Sequence, residues 1–170
     1  MSMKSLIIYL MTAVVLTFST EAYALIGPKD DSPAVQVLEA QQDSKRLDGT
    51  KFKIAKPFIK RTPMGVIIDE IEMMIICPLE NNSTKAEDLL PAEAKEMLKK
   101  YILVKEIDDE RSTMAIYIDN PKGNNFSEIV IYNKRPDASI MLFVGDFTVE
   151  SLIKVGEVSE QQRKHLKKNK

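Results

Sequence analysis

The chain has 170 residues, 44% of them hydrophobic and 29% charged, a composition that fits one globular domain and excludes the disordered and fibrous classes. A formal net charge of −1 provides no global field to gather nucleic acid or an acidic polymer, so any electrostatic contact must be local. With one cysteine, Cys77, and one histidine, His165, there is no intramolecular disulfide and no usual zinc or haem ligand set, and no cofactor is expected.

In chain order, the first segment reads as an address. Lys4 precedes an apolar run from Leu6 to Phe18, and Ala22 and Ala24 bracket Tyr23 in the pattern of a signal-peptidase site, with the cut expected after Ala24. The run is too short for a membrane span, which needs roughly 20 apolar residues. No cysteine follows the cut to accept a lipid. The expected organisation is a leader over 1–24, a single α+β domain over 25–158 and a basic tail over 159–170, in a protein that is periplasmic or extracellular and not a lipoprotein.

Ser32 followed by Pro33 is a helix start, because serine can cap free N–H groups and proline lacks the one the first turn would waste. The apolar stripe Ala34, Val37 and Leu38 predicts a helix to about Leu47, ended by Asp48-Gly49. Phe52, Ile54 and Phe58 alternate with polar residues and predict a half-buried strand limited by Pro57, with a turn of helix over Lys56 to Gly65 as the alternative. From Val66 to Cys77 the β-branched residues are dense, and Ile71, Met73, Ile75 and Cys77 share a parity opposite to Glu70 and Glu72, which predicts a strand ended by Pro78. Thr84 and Glu87 have the spacing of a capping box. They open a helix with the stripe Leu90, Ala94, Met97, Leu98 and Tyr101, in which Pro91 starts a fresh segment or makes a kink.

Beyond Tyr101 the period changes to that of strands, over Ile102 to Ile107, Thr113 to Ile118, Glu128 to Tyr132 and Ser139 to Val144. The gaps carry turn residues and are too short for anything but antiparallel neighbours. Thr148 caps a last helix with an apolar face of Val149, Leu152 and Ile153, and Gly156 is its expected stop. The expected fold is therefore α+β, an antiparallel β-meander sheet packed on one face by two or three helices.

The segments Phe126 to Lys134 and Ser139 to Val155, in which Gly145 and Asp146 end a strand and Thr148 to Val155 form a closing helix, resemble a family of exported Bacteroidetes proteins called domain of unknown function 4252. The resemblance implies export and a compact α+β domain, and offers no activity or catalytic residue to carry over. Many relatives look like lipoproteins, from which this sequence departs. Some are encoded near extracytoplasmic-function sigma factors, a hint of envelope stress or signalling.

Residues that could carry chemistry are few. Cys77 shares the parity of an apolar strand face, so it reads as a buried small hydrophobe. His165 lies in a charged tail unsuited to hold the fixed angle a Cys-His dyad needs. Asp69, Glu70 and Glu72 sit on a strand's polar face, and Asp108, Asp109 and Glu110 in a turn, where acids serve the backbone. There is no phosphate-cradling glycine motif, nucleophile elbow or helical histidine pair. The basic stretches, Lys45, Arg46, Lys51, Lys53, Lys56, Lys60 and Arg61, and Arg163, Lys164, Lys167, Lys168 and Lys170, read as solvated charge, the second with a weak affinity for anionic surfaces. The sequons at Asn81, Asn82 and Asn125 mark surface loops.

One feature outranks these. Ile129 to Tyr132 and Ile140 to Val144 are apolar at nearly every position, so a second sheet face needs a cover. With Met114, Ile116, Ile118, Ile129, Ile131, Ile140, Leu142 and Val144 placed under the helices, Tyr117, Val130, Tyr132, Met141 and Phe143 point outward. They are covered either by the first helix or the Lys56 to Gly65 segment, or by a protein partner, a second copy or an apolar ligand. The expected function is binding without catalysis in the cell envelope, with no nucleic acid and no transmembrane segment; the alternative is a periplasmic hydrolase or thiol enzyme.

Overall fold

The computed structural model describes residues 32–79, 90–108, 113–135 and 138–168. The elements run α1 (Pro33–Glu39), β1 (Lys45–Leu47), α2 (Gly49–Ile59), a 3₁₀ turn (Pro63–Ile67), β2 (Ile71–Pro78), α3 (Ala92–Leu98), β3 (Ile102–Asp108), β4 (Thr113–Ile118), β5 (Asn125–Arg135), β6 (Ser139–Thr148) and α4 (Val149–Lys168). The six strands form one sheet in the order β1-β2-β6-β5-β4-β3, with every pair antiparallel. The fold is α+β, and the four strands after Tyr101 are the expected meander.

Helix α1 starts as Ser32-Pro33 dictates, with the Ser32 hydroxyl accepting from the Ala34 amide at 3.2 Å. It ends at Glu39 rather than near Leu47. Its apolar stripe runs out at Leu38, and the chain then turns through Asp43 at φ 61°, a left-handed conformation that aspartate tolerates better than most residues. The released segment becomes β1, which lies along β2 and buries Leu47.

The expected strand through Phe52 is a helix instead. In α2 the buried residues are Phe52, Ala55 and Ile59, spaced at three and four, whereas Ile54 and Phe58 face solvent. Five apolar residues in eight positions satisfy either period, and only the surface they meet selects one. Asp48 precedes the helix without capping it, because its carboxylate is held by Arg46 Nε at 2.7 Å. Helix α3 opens after Pro91 as expected and buries Ala94, Met97 and Leu98; the capping box at Thr84 and Glu87 lies outside the described residues. In α4 the Ser151 amide donates to Thr148 Oγ1 at 3.1 Å, the expected cap. Gly156 does not stop it, since glycine inside a helix costs only about 1 kcal/mol, and the helix continues to Lys168.

Both faces of the sheet are covered. On one, α1 and α3 pack on Met73, Ile75, Cys77, Val130, Tyr132, Ile140, Leu142 and Val144. On the other, α2, the 3₁₀ turn and the first half of α4 pack on Met74, Ile76, Ile129, Ile131, Met141, Phe143 and Phe147. Packing on one face only is thus corrected, and the physical reason is the apolar content of β2, β5 and β6 on both parities. Burying a side chain of this size contributes about 1.5–3 kcal/mol, so two covered faces roughly double what a half-wetted sheet this small could gain.

Candidate interaction surface

The five residues expected to point outward do not share a face. In the ladder Val130 lies opposite Leu142, Ile131 opposite Met141 and Ile129 opposite Phe143, and directly opposed residues project to the same side. The expected grouping inverted β6 relative to β5, and a one-residue slip exchanges every side chain between faces. Tyr117, Val130 and Tyr132 accordingly lie beneath α1 and α3, and Met141 and Phe143 beneath the second layer. Val130, Tyr132, Met141 and Phe143 are buried and Tyr117 is half-buried, so they form interior packing within the chain and no common exposed patch.

Polar side chains that sequence reasoning passed over meet where α3 hands the chain to β3. The Tyr101 hydroxyl donates to Glu128 Oε2, and Glu128 is itself buried. One strand-end away, Asp119 Oδ1 accepts from the amides of Ser127 and Glu128 at 3.0 and 2.9 Å. Burial, and then the Glu128 carboxylate it donates to, push the Tyr101 phenol well above its ordinary pKa, so it stays a neutral donor and cannot serve as a base at physiological pH. The pair fastens the end of α3 to β5. No sequence pattern joins residues 27 apart, which is why it was not foreseen.

The other candidates resolve into structure. Cys77 is buried, and burial together with the Asp43 carboxylate pushes its thiol up to about 11, the opposite of an activated nucleophile. His165 lies in the part of α4 whose side chains are outside the described set. Glu70 Oε2 accepts from Ser151 Oγ at 2.5 Å, and the Glu70 carbonyl accepts the Asp146 amide at 3.1 Å, latching the start of β2 to the start of α4. A Cβ on Gly145 would stand 1.9 Å from the Glu70 carbonyl oxygen, so the glycine there is required by a close backbone approach.

Asp69 is paired with Lys56 at 2.6 Å, whose hydrogen bond and charge hold its carboxyl below the usual aspartate value. Arg46 bridges Glu39 and Asp48 at 2.9 and 2.7 Å. Asp109 and Glu110 lie outside the described residues, as do Asn81 and Asn82, whereas Asn125 is exposed at the start of β5. The basic run from Arg163 to Lys168 continues α4. Among the described residues no three His, Cys, Asp or Glu side chains gather as a metal site, and no helix is long and apolar enough to cross a membrane.

Two surface features remain. A groove of about 380 Å³ between α1 and α3 has an apolar lining of Pro33, Val37, Ala92 and Met97, with Glu93, Glu96 and Lys100 along it. The other is the outer edge of the sheet. Among the described residues strand β3 pairs with β4 alone, and Ile102, Leu103 and Val104 are 43%, 50% and 44% exposed. The opposite edge is different in kind: β1 is three residues long and the chain passes directly from it into α2.

A six-stranded antiparallel sheet covered by helices on both faces defines an α+β domain. The chain belongs to the family described as Domain of unknown function (DUF4252), which it matches over residues 40–155. No curated protein matches it, and no solved structure does. The Gly145-Asp146 segment and the closing helix, which carried the resemblance, are the parts the Glu70 latch holds together.

Proposed function

We propose that this chain is an exported envelope protein that acts by binding, without catalysis, through the open edge of β3. The observation that carries the reading is the run Ile102-Leu103-Val104, half exposed on a strand that, among the described residues, has a neighbouring strand on one side only. Such an edge is a template for an added strand, main-chain hydrogen bonds giving affinity and side-chain contacts on either face giving selectivity. The groove between α1 and α3 has a mainly apolar lining with Glu93, Glu96 and Lys100 along it, and supplies no histidine, cysteine or hydroxyl nucleophile. Export is supported by the Lys4, Leu6 to Phe18 and Ala22-Tyr23-Ala24 pattern.

A photo-crosslinking amino acid placed at Leu103 in the host tests the contact, with the same probe at exposed Lys53 on α2 as control. The expected result is a covalent adduct with a second polypeptide at position 103 and none at position 53; equal yields at both would end the reading. Export predicts that the protein recovered outside the cytoplasm begins at Leu25, and recovery there with Met1 intact would contradict the cleavage.

A further inference from the structure

Helix α2 carries apolar side chains on two sides although it packs on one. Phe52, Ala55 and Ile59 are buried against the sheet, whereas Ile54 and Phe58, one turn apart, stand 52% and 42% exposed on the side away from it. A helix laid on a sheet is expected to turn polar residues outward, and packing within the chain gives no reason for the second stripe. The 3₁₀ turn lengthens it. Gly65 comes so close to the end of α2 that a Cβ there would stand 2.4 Å from the Lys60 carbonyl oxygen, and the next residue, Val66, is 45% exposed.

The charge around this stripe has one sign. From Gly49 to Ile68 the chain holds Lys51, Lys53, Lys56, Lys60 and Arg61 and no acidic residue, in a protein whose formal net charge is −1. Of the flanking acids, Asp48 is taken by Arg46 and Asp69 by Lys56. Lys51, Lys53 and Arg61 form no salt bridge among the described residues. Lys53 and Lys60, seven residues or two turns apart, line one side of the stripe, and Lys51 stands seven residues before Phe58 on the other. The remaining surfaces lack this combination. Ile102-Leu103-Val104 leads into Lys105, Glu106 and Asp108, and α3 mixes Glu93 and Glu96 with Lys95.

We propose that the outer face of α2 and the 3₁₀ turn docks on the surface of an anionic lipid bilayer. Ile54, Phe58 and Val66 enter the headgroup region, and Lys51, Lys53, Lys60 and Arg61 meet the lipid phosphates. A soluble polyanion would use the cations and leave the apolar side chains beside them in water. A bilayer takes both, because lysine stems lie along apolar surface while their ammonium groups reach the phosphates. The contact is peripheral, since among the described residues no helix is long and apolar enough to cross a membrane. Helix α2 lies over β1 and β2, and β3 closes the other edge of the sheet, so docking leaves β3 open to a polypeptide.

The test is flotation of the chain beginning at Leu25 with vesicles of phosphatidylcholine alone, or with about a third of the lipid as phosphatidylglycerol. The chain starts there because the apolar run from Leu6 to Phe18 would enter any bilayer by itself. The expected result is association with the anionic vesicles only, lost as salt rises from about 0.05 to 0.5 M and the Debye length shortens. Ile54→Ser with Phe58→Ser should weaken binding about tenfold or more and, both sites being exposed, leave the melting temperature in place. Lys53→Gln with Lys60→Gln should weaken it by a similar factor, since each cation near an anionic surface strengthens association about fivefold. Arg163→Gln, Lys164→Gln, Lys167→Gln and Lys168→Gln together should leave most of the binding intact.

Three results would each overturn the proposal: no association with anionic vesicles, binding indifferent to the Ile54 and Phe58 exchange, or binding lost with the four tail exchanges. The second would leave a surface that reads charge alone, as a soluble polyanion requires, and the third would move the contact to the end of α4.

Discussion

Tyr101 and Cys77 show how burial decides what a reactive group does. Tyr101 donates to a buried carboxylate, and Tyr101→Phe removes that donor while leaving the Glu128 charge in place. A buried acceptor stripped of its partner costs about 1–3 kcal/mol, so chemical denaturation of the variant should show a loss in that range with the fold retained. Cys77 sits under α1 and α3 with its thiol pushed up to about 11. In the native protein a thiol-specific reagent at neutral pH should label it only at the rate of unfolding. The sign of its pH effect follows from the direction of the shift. Below the ordinary thiol pKa both states keep the proton and stability is unaffected, and above it the unfolded chain ionises first. Stability should therefore fall as pH rises from about 9 towards 11, less steeply in Cys77→Ala, as urea titrations across that range would record.

At the scale of elements, legibility tracked the strength of the local signal. Ser32-Pro33, Pro91 and Thr148 mark helix starts because each acts on the backbone beside it, and the meander strands are legible because their gaps admit only antiparallel neighbours. Helix α2 was not legible. Phe52, Ile54, Ala55, Phe58 and Ile59 support a period of two as readily as one of 3.6, and the helix is selected by the second sheet face it covers. The buried set in α2 is Phe52, Ala55 and Ile59, so Phe52→Ala should lower stability by about 3–5 kcal/mol, while Ile54→Ala should stay within about 0.5 kcal/mol, as surface substitutions do. A strand with the alternation of Phe52 and Ile54 would make those two losses comparable, and thermal melts of the two variants distinguish the cases. Strand β1 was also out of reach, since Lys45, Arg46 and Leu47 carry no pattern and pair only because β2 lies alongside.

For the whole molecule, the two-sided sheet sets both stability and surface. Tyr132 lies in one layer and Phe143 in the other, so truncating both to alanine opens a cavity on each side of the sheet. Each loss is about 3–5 kcal/mol, and with no shared layer the two should nearly add. The sum is comparable to the whole 5–15 kcal/mol of a typical domain. The double variant should be largely unfolded by circular dichroism at 25 °C, and each single variant folded. A double variant as stable as either single one would mean that these residues do not fill two separate layers. Because both faces are covered within the chain, the contact surface we propose is the edge of β3, where Ile102, Leu103 and Val104 stand exposed.

The sequence alone determined an α+β domain with an antiparallel meander, a buried Cys77 and caps at Ser32 and Thr148, since each of these follows from neighbouring residues or from composition. The tertiary structure decided which parity of β6 faces which layer, that α2 is a helix, that Tyr101 meets Glu128, and which edge of the sheet stays open. These depend on register and on contacts between segments far apart in the chain. Local periodicity cannot distinguish two faces that are equally apolar.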